Sequence, residues 1–383
     1  MKIALVHKRL DLNGGTERDL FRTAEGLRDL GHEVHLFCGE FRVAAPLGVT
    51  AHRIAALRLG RTAQLLSLAL RAPKMIAQAA CDIVLSFDRM PDCDVLRCGG
   101  GTHRGFLNRL AEEGGTLGRL WQTASAYHRT ILALEKRQYQ SPRVKRIIAV
   151  SAEVKRDIMS NYEISSDRIS VLYNGVDVRR FYPEKRTLFG HGVRARWKIP
   201  PDAPLVLFVG SGFRRKGLHR LLAAWNAPEL ARAYLLVVGS DARLGRYRTW
   251  ADSIAPGRIV FAGRQDQIEN YYGAADVVAL PSLQEAFGNV VLEALASGLP
   301  VVVSRAVGAA EILSGSLAEG IVDRPDDPEE ISARLVSLLA KTAVPALGQE
   351  ARSVAEAYSW ERHFHGLDAL LREVSESTVG RVS

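Results

Sequence analysis

Cysteine is scarce in this chain. Four occur among 383 residues, at Cys38, Cys81, Cys93 and Cys98. They form no CxxC pair and no histidine cluster stands beside them. This excludes a disulfide framework and a structural zinc site, and it points to a reducing compartment. Long apolar runs are missing too. Residues 1–7 are too short for the core of a signal peptide and read as a first strand. The stretch from Thr62 to Ala80 is interrupted by Arg71, Pro73 and Lys74 and does not span a bilayer. A recognised nucleic-acid module is also lacking, although the formal net charge is +9.

What is present is ordinary globular material, 47% hydrophobic and 24% charged, in a chain too long for one compact core. Two domains are therefore expected. The positive excess is one-sided. Residues 1–180 hold 28 Lys and Arg against 19 Asp and Glu, and residues 181–383 hold 23 of each. The first half is expected to face something anionic. Apolar runs at Lys2–His7, Glu33–Cys38, Asp82–Phe87, Val95–Cys98, Ile147–Val150 and Ile169–Tyr173 read as strands, with a helix from about Thr16 to Leu30. A turn signal at Asn174-Gly175-Val176-Asp177 places a linker near 174–180. Strands then recur at Leu205–Val209, Tyr234–Val238, Arg258–Ala262, Val277–Leu280 and Val301–Ser304, alternating with helices near 217–226, 265–274 and 288–297. Further helices are expected at 325–340, 346–357 and 360–375. Repeated strand–helix alternation implies α/β units with parallel sheets covered on both faces.

Several strand ends carry candidate chemistry. Gly14-Gly15 follows the first strand, where two glycines let backbone approach a ligand, and Asp19 suits the first turns of the next helix. Gly99-Gly100-Gly101-Thr102-His103 reads as backbone held open beside a cleft, with His103 at its mouth. Arg104–Arg146 holds nine cations against three acids, interleaved with Phe106, Trp121, Tyr127 and Tyr139. Gly210-Ser211-Gly212-Phe213-Arg214-Arg215-Lys216-Gly217 departs from the dinucleotide fingerprint, with Arg215 where the third glycine belongs. It sets positive charge beside a helix start, which suits a diphosphate. Gln284–Glu293 places Glu285 before a helix and Glu293 inside it. Carboxylates there can accept from sugar hydroxyls and amides at the helix start can meet phosphate. Asp92-Cys93-Asp94 matches the DxD string of metal-dependent sugar transferases, but no second ligand cluster accompanies it, so it reads as structural.

Gly14-Gly15, Asn174–Asp177, Arg215-Lys216-Gly217 and the Glu285/Glu293 pair, in this order, resemble the retaining GT-B glycosyltransferases of family 4. Gly14 to Asp19, Phe87-Asp88-Arg89-Met90-Pro91 and Phe213–Gly217 are more narrowly similar to the lipopolysaccharide core α-1,3-glucosyltransferases, while Gly99–His103 follows the wider family. The resemblance implies a GT-B fold, two Rossmann-like domains whose parallel sheets face each other across a cleft. Residues 1–174 would form the acceptor domain, completed by a helix at 360–383, and residues 175–359 the nucleotide-sugar domain. It implies transfer, with retention, from a UDP-hexose such as UDP-glucose to a glycolipid or oligosaccharide acceptor such as the lipopolysaccharide core. His103, Asp19, Arg215, Lys216 and Glu285 would be catalytic. Gly14, Gly15, Gly212, Arg215, Lys216, Glu285, Ala286, Phe287, Gly288, Asn289, Val290 and Glu293 would hold the donor, with no metal cofactor because arginine and lysine take its place. The basic stretch 104–146 would meet an anionic membrane, as a peripheral protein on the cytoplasmic face, with no nucleic-acid partner. A nucleotide-sugar epimerase of the same shape and a non-catalytic two-domain sugar-binding protein are the alternatives.

Overall fold

The computed structural model describes every residue except 13, 58, 91, 110–124, 343–344 and 380–383. The chain divides into two compact units, Met1–Asn174 with Glu361–Ser383, and Gly175–Trp360. In the first unit the strands are β1 (Lys2–Leu10), β2 (Glu33–Phe41), β3 (Thr50–Arg53), β4 (Ile83–Ser86), β5 (Val95–Cys98), β6 (Arg146–Ala149) and β7 (Ile169–Val171). They form one sheet in the order β3-β2-β1-β4-β5-β6-β7, every pair parallel.

The buried strand β1 shows how helices cover both faces. Its side chains alternate in direction along the strand. Ile3 and Leu5 join one core cluster with Leu20, Ala24 and Leu27 of helix α1 (Gly15–Asp29). Ala4 and Val6 join the other, with Leu68, Ala72 and Ile76 of helix α2 (Arg61–Ala79). Helices α3 (Ala126–Gln140) and α4 (Ala152–Tyr162) complete the unit's middle, α4 being capped by Ser151, whose hydroxyl accepts from the Val154 amide. The chain's last helix returns here because its apolar stripe, Leu367, Leu371 and Val374, fills the α1 side of the core. Gly26 of α1 permits the approach, since a Cβ there would meet the Phe364 ring at 2.2 Å.

The second unit holds β8 (Leu205–Val209), β9 (Tyr234–Val238), β10 (Ile259–Gly263), β11 (Val277–Leu280), β12 (Val301–Ser304) and β13 (Ile321–Val322). Their order is β10-β9-β8-β11-β12-β13, again parallel throughout. Helices α5 (Leu218–Ala224), α6 (Ile268–Ala274) and α7 (Asn289–Ala296) follow β8, β10 and β11, and α8 (Trp360–Val379) is the last helix. Two strands lie outside the sequence reading, β3 and β13. β3 is a mostly exposed edge and β13 has two residues, so neither has a diagnostic apolar run. The basic run before Lys198, which shows little periodicity in sequence, is helical at Arg186–Gly190 and His191–Arg196. Buried Arg194 holds that segment, donating to the carbonyls of Ala274, Pro200, Pro201 and Ala203 and pairing with Asp276 at 3.0 Å. Asp92 and Asp94 have structural partners. Arg143 and Lys145 pair with them, and Asp94 accepts from the Val84 amide at 2.9 Å. Among the described residues, no single helix is long and apolar enough to cross a membrane.

In each sheet the chain reverses its direction of winding once, between β1 and β4 and between β8 and β11. Loops diverge at such a point and leave a crevice at the carboxyl ends of the strands, where ligands of open α/β sheets bind.

Three histidines make the fold sensitive to acid. Burial pushes His103, His219 and His363 down to about 4, helped by nearby arginines. An unfolded histidine takes its proton near about 6.5. Neutral histidines therefore contribute their full stability above that value, and the contribution is lost as pH falls from about 6.5 to 4. We expect the melting temperature to drop between pH 7 and pH 5, with a shallower drop in His363→Asn. A melting temperature that is flat over this range in the unaltered protein contradicts the assignment.

Candidate functional site

In the second unit the β8 loop begins at Gly210 and ends at Gly217. Phe213, 0% exposed, anchors it edge-on against Phe208 and Tyr247, and its amide donates to Asp241 at 2.7 Å. With that aromatic fixed, Arg215 and Lys216 are set at the end of the loop. Gly217 lies at φ +79, and a Cβ there would sit 1.9 Å from the Pro281 carbonyl oxygen. Only glycine lets the β8 and β11 loops come this close.

The β11 loop carries Glu285. Its backbone is pinned on both sides, the Glu285 amide donating to Ala306 and its carbonyl accepting from Gly308 at 3.0 Å. Phe287 is buried, and its carbonyl accepts from Ala309 at 2.7 Å. Gly288, at φ +92, turns the chain into α7, which has no side-chain cap.

The two loops meet in an ion cluster. Arg215 Nη1 donates to Glu285 Oε2 at 2.5 Å, and Lys216 Nζ lies 3.3 Å from the same oxygen. Burial alone would raise the Glu285 carboxyl, but the charges of Lys216 and Arg215 outweigh it and hold it below the ordinary range. Arg215 remains 56% exposed while Lys216 is 12% exposed, so one cation can swing and the other is held. Ala286, Asn289 and Val290 lie between this cluster and Glu293 on α7. There Glu293 accepts from the buried Tyr272 hydroxyl at 2.6 Å, across from α6. Burial, then the Glu293 charge, push the Tyr272 hydroxyl well above its ordinary range, so it stays a donor. Sequence reasoning missed Tyr272; the Tyr271-Tyr272 pair carries no distinguishing spacing.

The first unit has its own polar cavity of about 370 Å³ at its switch point. Thr16 and Glu17 line it from α1, Asp88 and Arg89 from the β4 loop, and Gly99 to His103 from the β5 loop. The His103 amide donates to both oxygens of buried Glu135, at 2.7 and 2.9 Å, and Oε2 also accepts from the Arg104 amide and the Tyr162 hydroxyl. The His103 ring pairs with His128 at 3.0 Å and stacks on Phe106. Burial, Arg89 and His128 keep it neutral. His7 lies on the cavity wall with Glu17 at 3.8 Å and Asp88 at 3.7 Å. The polar contact with His7 is the largest influence holding the Glu17 carboxyl down, at about 2, against the burial that would raise it.

The glycines and Asp19 behave differently from one another. Gly15 is exposed and opens α1, and a Cβ added there would meet nothing within 4 Å, whereas Gly14 has ordinary extended backbone. Asp19, expected among the catalytic residues, is 5% exposed. Its carboxylate pairs with buried Arg97 at 3.1 Å, and Asn174 accepts from the same Arg97 nitrogen at 2.7 Å. Asp19 is thus turned into the core and holds Arg97 and Asn174 in register. Of the basic stretch 104–146, Arg119 and Trp121 lie outside the described residues. The expected site residues thus form two sets, each built inside its own unit.

Comparison with known proteins bears on both sets. The family model of "Glycosyltransferase Family 4" matches residues 13–180, and that of "Glycosyl transferases group 1" matches residues 203–341. The chain is 26% identical to the lipopolysaccharide glucosyltransferase WaaG of Escherichia coli K12 over 352 residues, covering 90% of this chain and 91% of WaaG. It is 33% identical over 249 residues to a D-inositol 3-phosphate glycosyltransferase of Corynebacterium urealyticum, covering 60% of this chain and 56% of that protein. The crystal structure of WaaG superposes with a TM-score of 0.78 at 22% identity, covering 96% of this chain and 99% of WaaG. Anabaena HepE in complex with UDP and glucose superposes at 0.73 and 19% identity, covering 97% of this chain and 99% of HepE. Two all-parallel Rossmann-like units, each with its polar residues at a switch point, and the two family models show a glycosyltransferase of the GT-B fold that joins a Glycosyltransferase Family 4 domain to a Glycosyl transferases group 1 domain.

Proposed function

We propose that this glycosyltransferase moves a hexose from a UDP-linked donor to a glycolipid acceptor, with retention of anomeric configuration and without a metal. The observation that carries this reading is the Arg215–Glu285–Lys216 cluster at the switch point of the second unit. A diphosphate placed there would compete with Glu285 for both cations. Once they turn to the phosphates, Glu285 is left ionised and able to accept from sugar hydroxyls. Charge gathers on the leaving diphosphate in the transition state, where fixed cations count most. This is the part a metal ion plays elsewhere. Glu293, steadied by Tyr272, would accept from the ribose hydroxyls, with Gly212, Gly288 and the neighbouring backbone close to the donor. His103, neutral at the edge of the cavity in the first unit, would contact the donor sugar, and Gly14 and Gly15 would allow close approach of backbone. The likeness to WaaG supports a lipopolysaccharide-type acceptor, and HepE with UDP-glucose supports a UDP-hexose donor. An acceptor in the inner leaflet would explain the basic residues of 104–146 and a peripheral position on the cytoplasmic face.

The direct test incubates the protein with a panel of nucleotide sugars, with and without lipid-linked core oligosaccharide, in the presence of EDTA. We expect transfer only with acceptor present, insensitive to EDTA, and an α-linked product from an α-linked donor. Donor turnover without acceptor would favour an epimerase. Nucleotide binding without any turnover would favour a sugar-binding protein. Loss of activity in EDTA, restored by manganese, would overturn the metal-free reading.

Glu293→Ala should weaken UDP binding about tenfold or more, since hydrogen bonds to charged groups contribute about 1.5–3 kcal/mol. Tyr272→Phe should weaken it less, because the carboxylate loses orientation and keeps its charge. Calorimetry on folded variants checks both, and unchanged affinity in Glu293→Ala removes the ribose assignment.

Lys216→Ala should lower kcat about a hundredfold while leaving the melting temperature close to that of the unaltered protein. Arg215→Ala should follow in direction with a smaller loss, its guanidinium being the more exposed. Near-normal turnover in both variants would place the diphosphate elsewhere.

A further inference from the structure

His103 is the half-buried side chain that the proposed reaction sets against the donor sugar, and helix α3 holds it twice. Glu135 takes its amide, at 2.7 and 2.9 Å. His128 takes its ring, with Nε2 of His103 and Nδ1 of His128 3.0 Å apart. The two grips lie seven positions apart, close to two turns, so they share one face of the helix. Ile131 and Gln138 complete that face. Ile131 is buried, and the Gln138 side-chain amide donates to the Asp88 carbonyl at 2.8 Å. Tyr139, next to Gln138, donates from its hydroxyl to Cys98 Sγ at 3.3 Å. Ser125 sets the start of the helix, its hydroxyl accepting from the His128 amide. Helix α3 is thereby registered against the segments that follow β4 and β5, and this fixes where His128 meets the His103 ring.

The two grips do different things. Glu135 Oε2 also accepts from the Arg104 amide and the Tyr162 hydroxyl, so the loop backbone is held without help from a histidine ring. His128 acts on the ring itself. The two imidazoles stack with centroids 5.1 Å and planes 24° apart, and Phe106 stacks on His103 at 5.8 Å. A neutral imidazole has one nitrogen that donates and one that accepts, and the bond made by one sets the state of the other. Burial, Arg89 and His128 keep His103 neutral. With Nε2 engaged by His128, Nδ1 is the nitrogen left for a ligand, and the proton on the His128 side decides whether it donates or accepts. A ring held by stacking alone could offer either nitrogen in either state.

We infer that His128 is a positioning residue for the transfer: it holds His103 Nε2, selects one tautomer of the ring and leaves Nδ1 as the nitrogen offered to the sugar. The inference rests on the proposed role of His103. A sugar hydroxyl can both donate and accept, so an unselected ring would still bind the donor but in two arrangements, of which one is oriented for reaction. Loss of His128 therefore costs orientation and spares binding.

The test combines kinetics, with donor and acceptor, and nitrogen NMR of the full chain labelled at histidine. In the unaltered protein the His103 ring should show a single neutral tautomer. His128→Phe keeps a stacked ring and removes the hydrogen bond. His103 should then average between tautomers and kcat should fall about tenfold, with donor KM and melting temperature close to those of the unaltered protein. His128→Asn, whose side-chain amide reaches the place of Nδ1, should restore the single tautomer and most of kcat. His103→Ala should lose more than His128→Phe, and combining the two should cost nothing further. A kcat or a His103 tautomer unchanged by His128→Phe, while His103→Ala is impaired, overturns the inference and leaves the proposed role of His103 standing. A loss from His128→Phe of equal size with and without His103 does the same. A lowered melting temperature in His128→Phe, with kcat not restored by His128→Asn, makes His128 a packing residue and overturns the inference. Full activity in His103→Ala overturns both.

Discussion

The second unit depends on one close approach, the backbone of Gly217 against the carbonyl of Pro281. Parallel strands β8 and β11 are neighbours in the sheet although far apart in sequence, and the loops leaving them must meet before they diverge. A methyl group at Gly217 would overlap the carbonyl oxygen and force the loops apart. With that contact made, Lys216 and Glu285 are held at 3.3 Å and the cluster with Arg215 forms. Phe213 on one side and the 306–309 backbone on the other prevent either loop from drifting.

The first unit solves a similar problem with buried charge. Asp19, Arg97 and Asn174 come from α1, β5 and the end of the unit, and their mutual hydrogen bonds lock three distant segments. Leaving one partner of such a pair buried alone costs about 3–5 kcal/mol, so the arrangement tolerates little change. Glu135 acts likewise on the β5 loop, reaching across from α3 to hold the amides of His103 and Arg104. The glycine run from Gly99 to Gly101 gives the backbone freedom, and these carboxylates remove it again.

Charge distribution links the units to their surroundings in different ways. Residues 181–383 are balanced overall, and the second unit concentrates two cations on one carboxylate, where a small anionic group fits. Residues 1–180 carry the excess, with residues 104–146 alone holding nine cations against three acids. Local pairing suits recognition of a ligand, while an excess of charge spread over a wide surface suits attraction to an extended one.

The sequence by itself determined the parallel architecture, because buried strands between amphipathic helices leave no other way to cover both faces of a sheet. It also marked Arg215, Lys216, Glu285 and Glu293, since charge at the end of an apolar strand is conspicuous. Only the tertiary structure decided what those groups touch. Tyr272 reaches Glu293 from a helix whose sequence offers no sign of it, and His128 reaches His103 from 25 positions away. Asp19 looked like a residue poised at a helix start, yet Arg97 draws it into the core. The helix built around Arg194 was invisible for the same reason, whereas the edge strands β3 and β13 have no apolar run to read. Periodicity reports which face of an element is apolar, whereas the partner of a polar side chain is fixed by chain segments that sequence spacing does not relate.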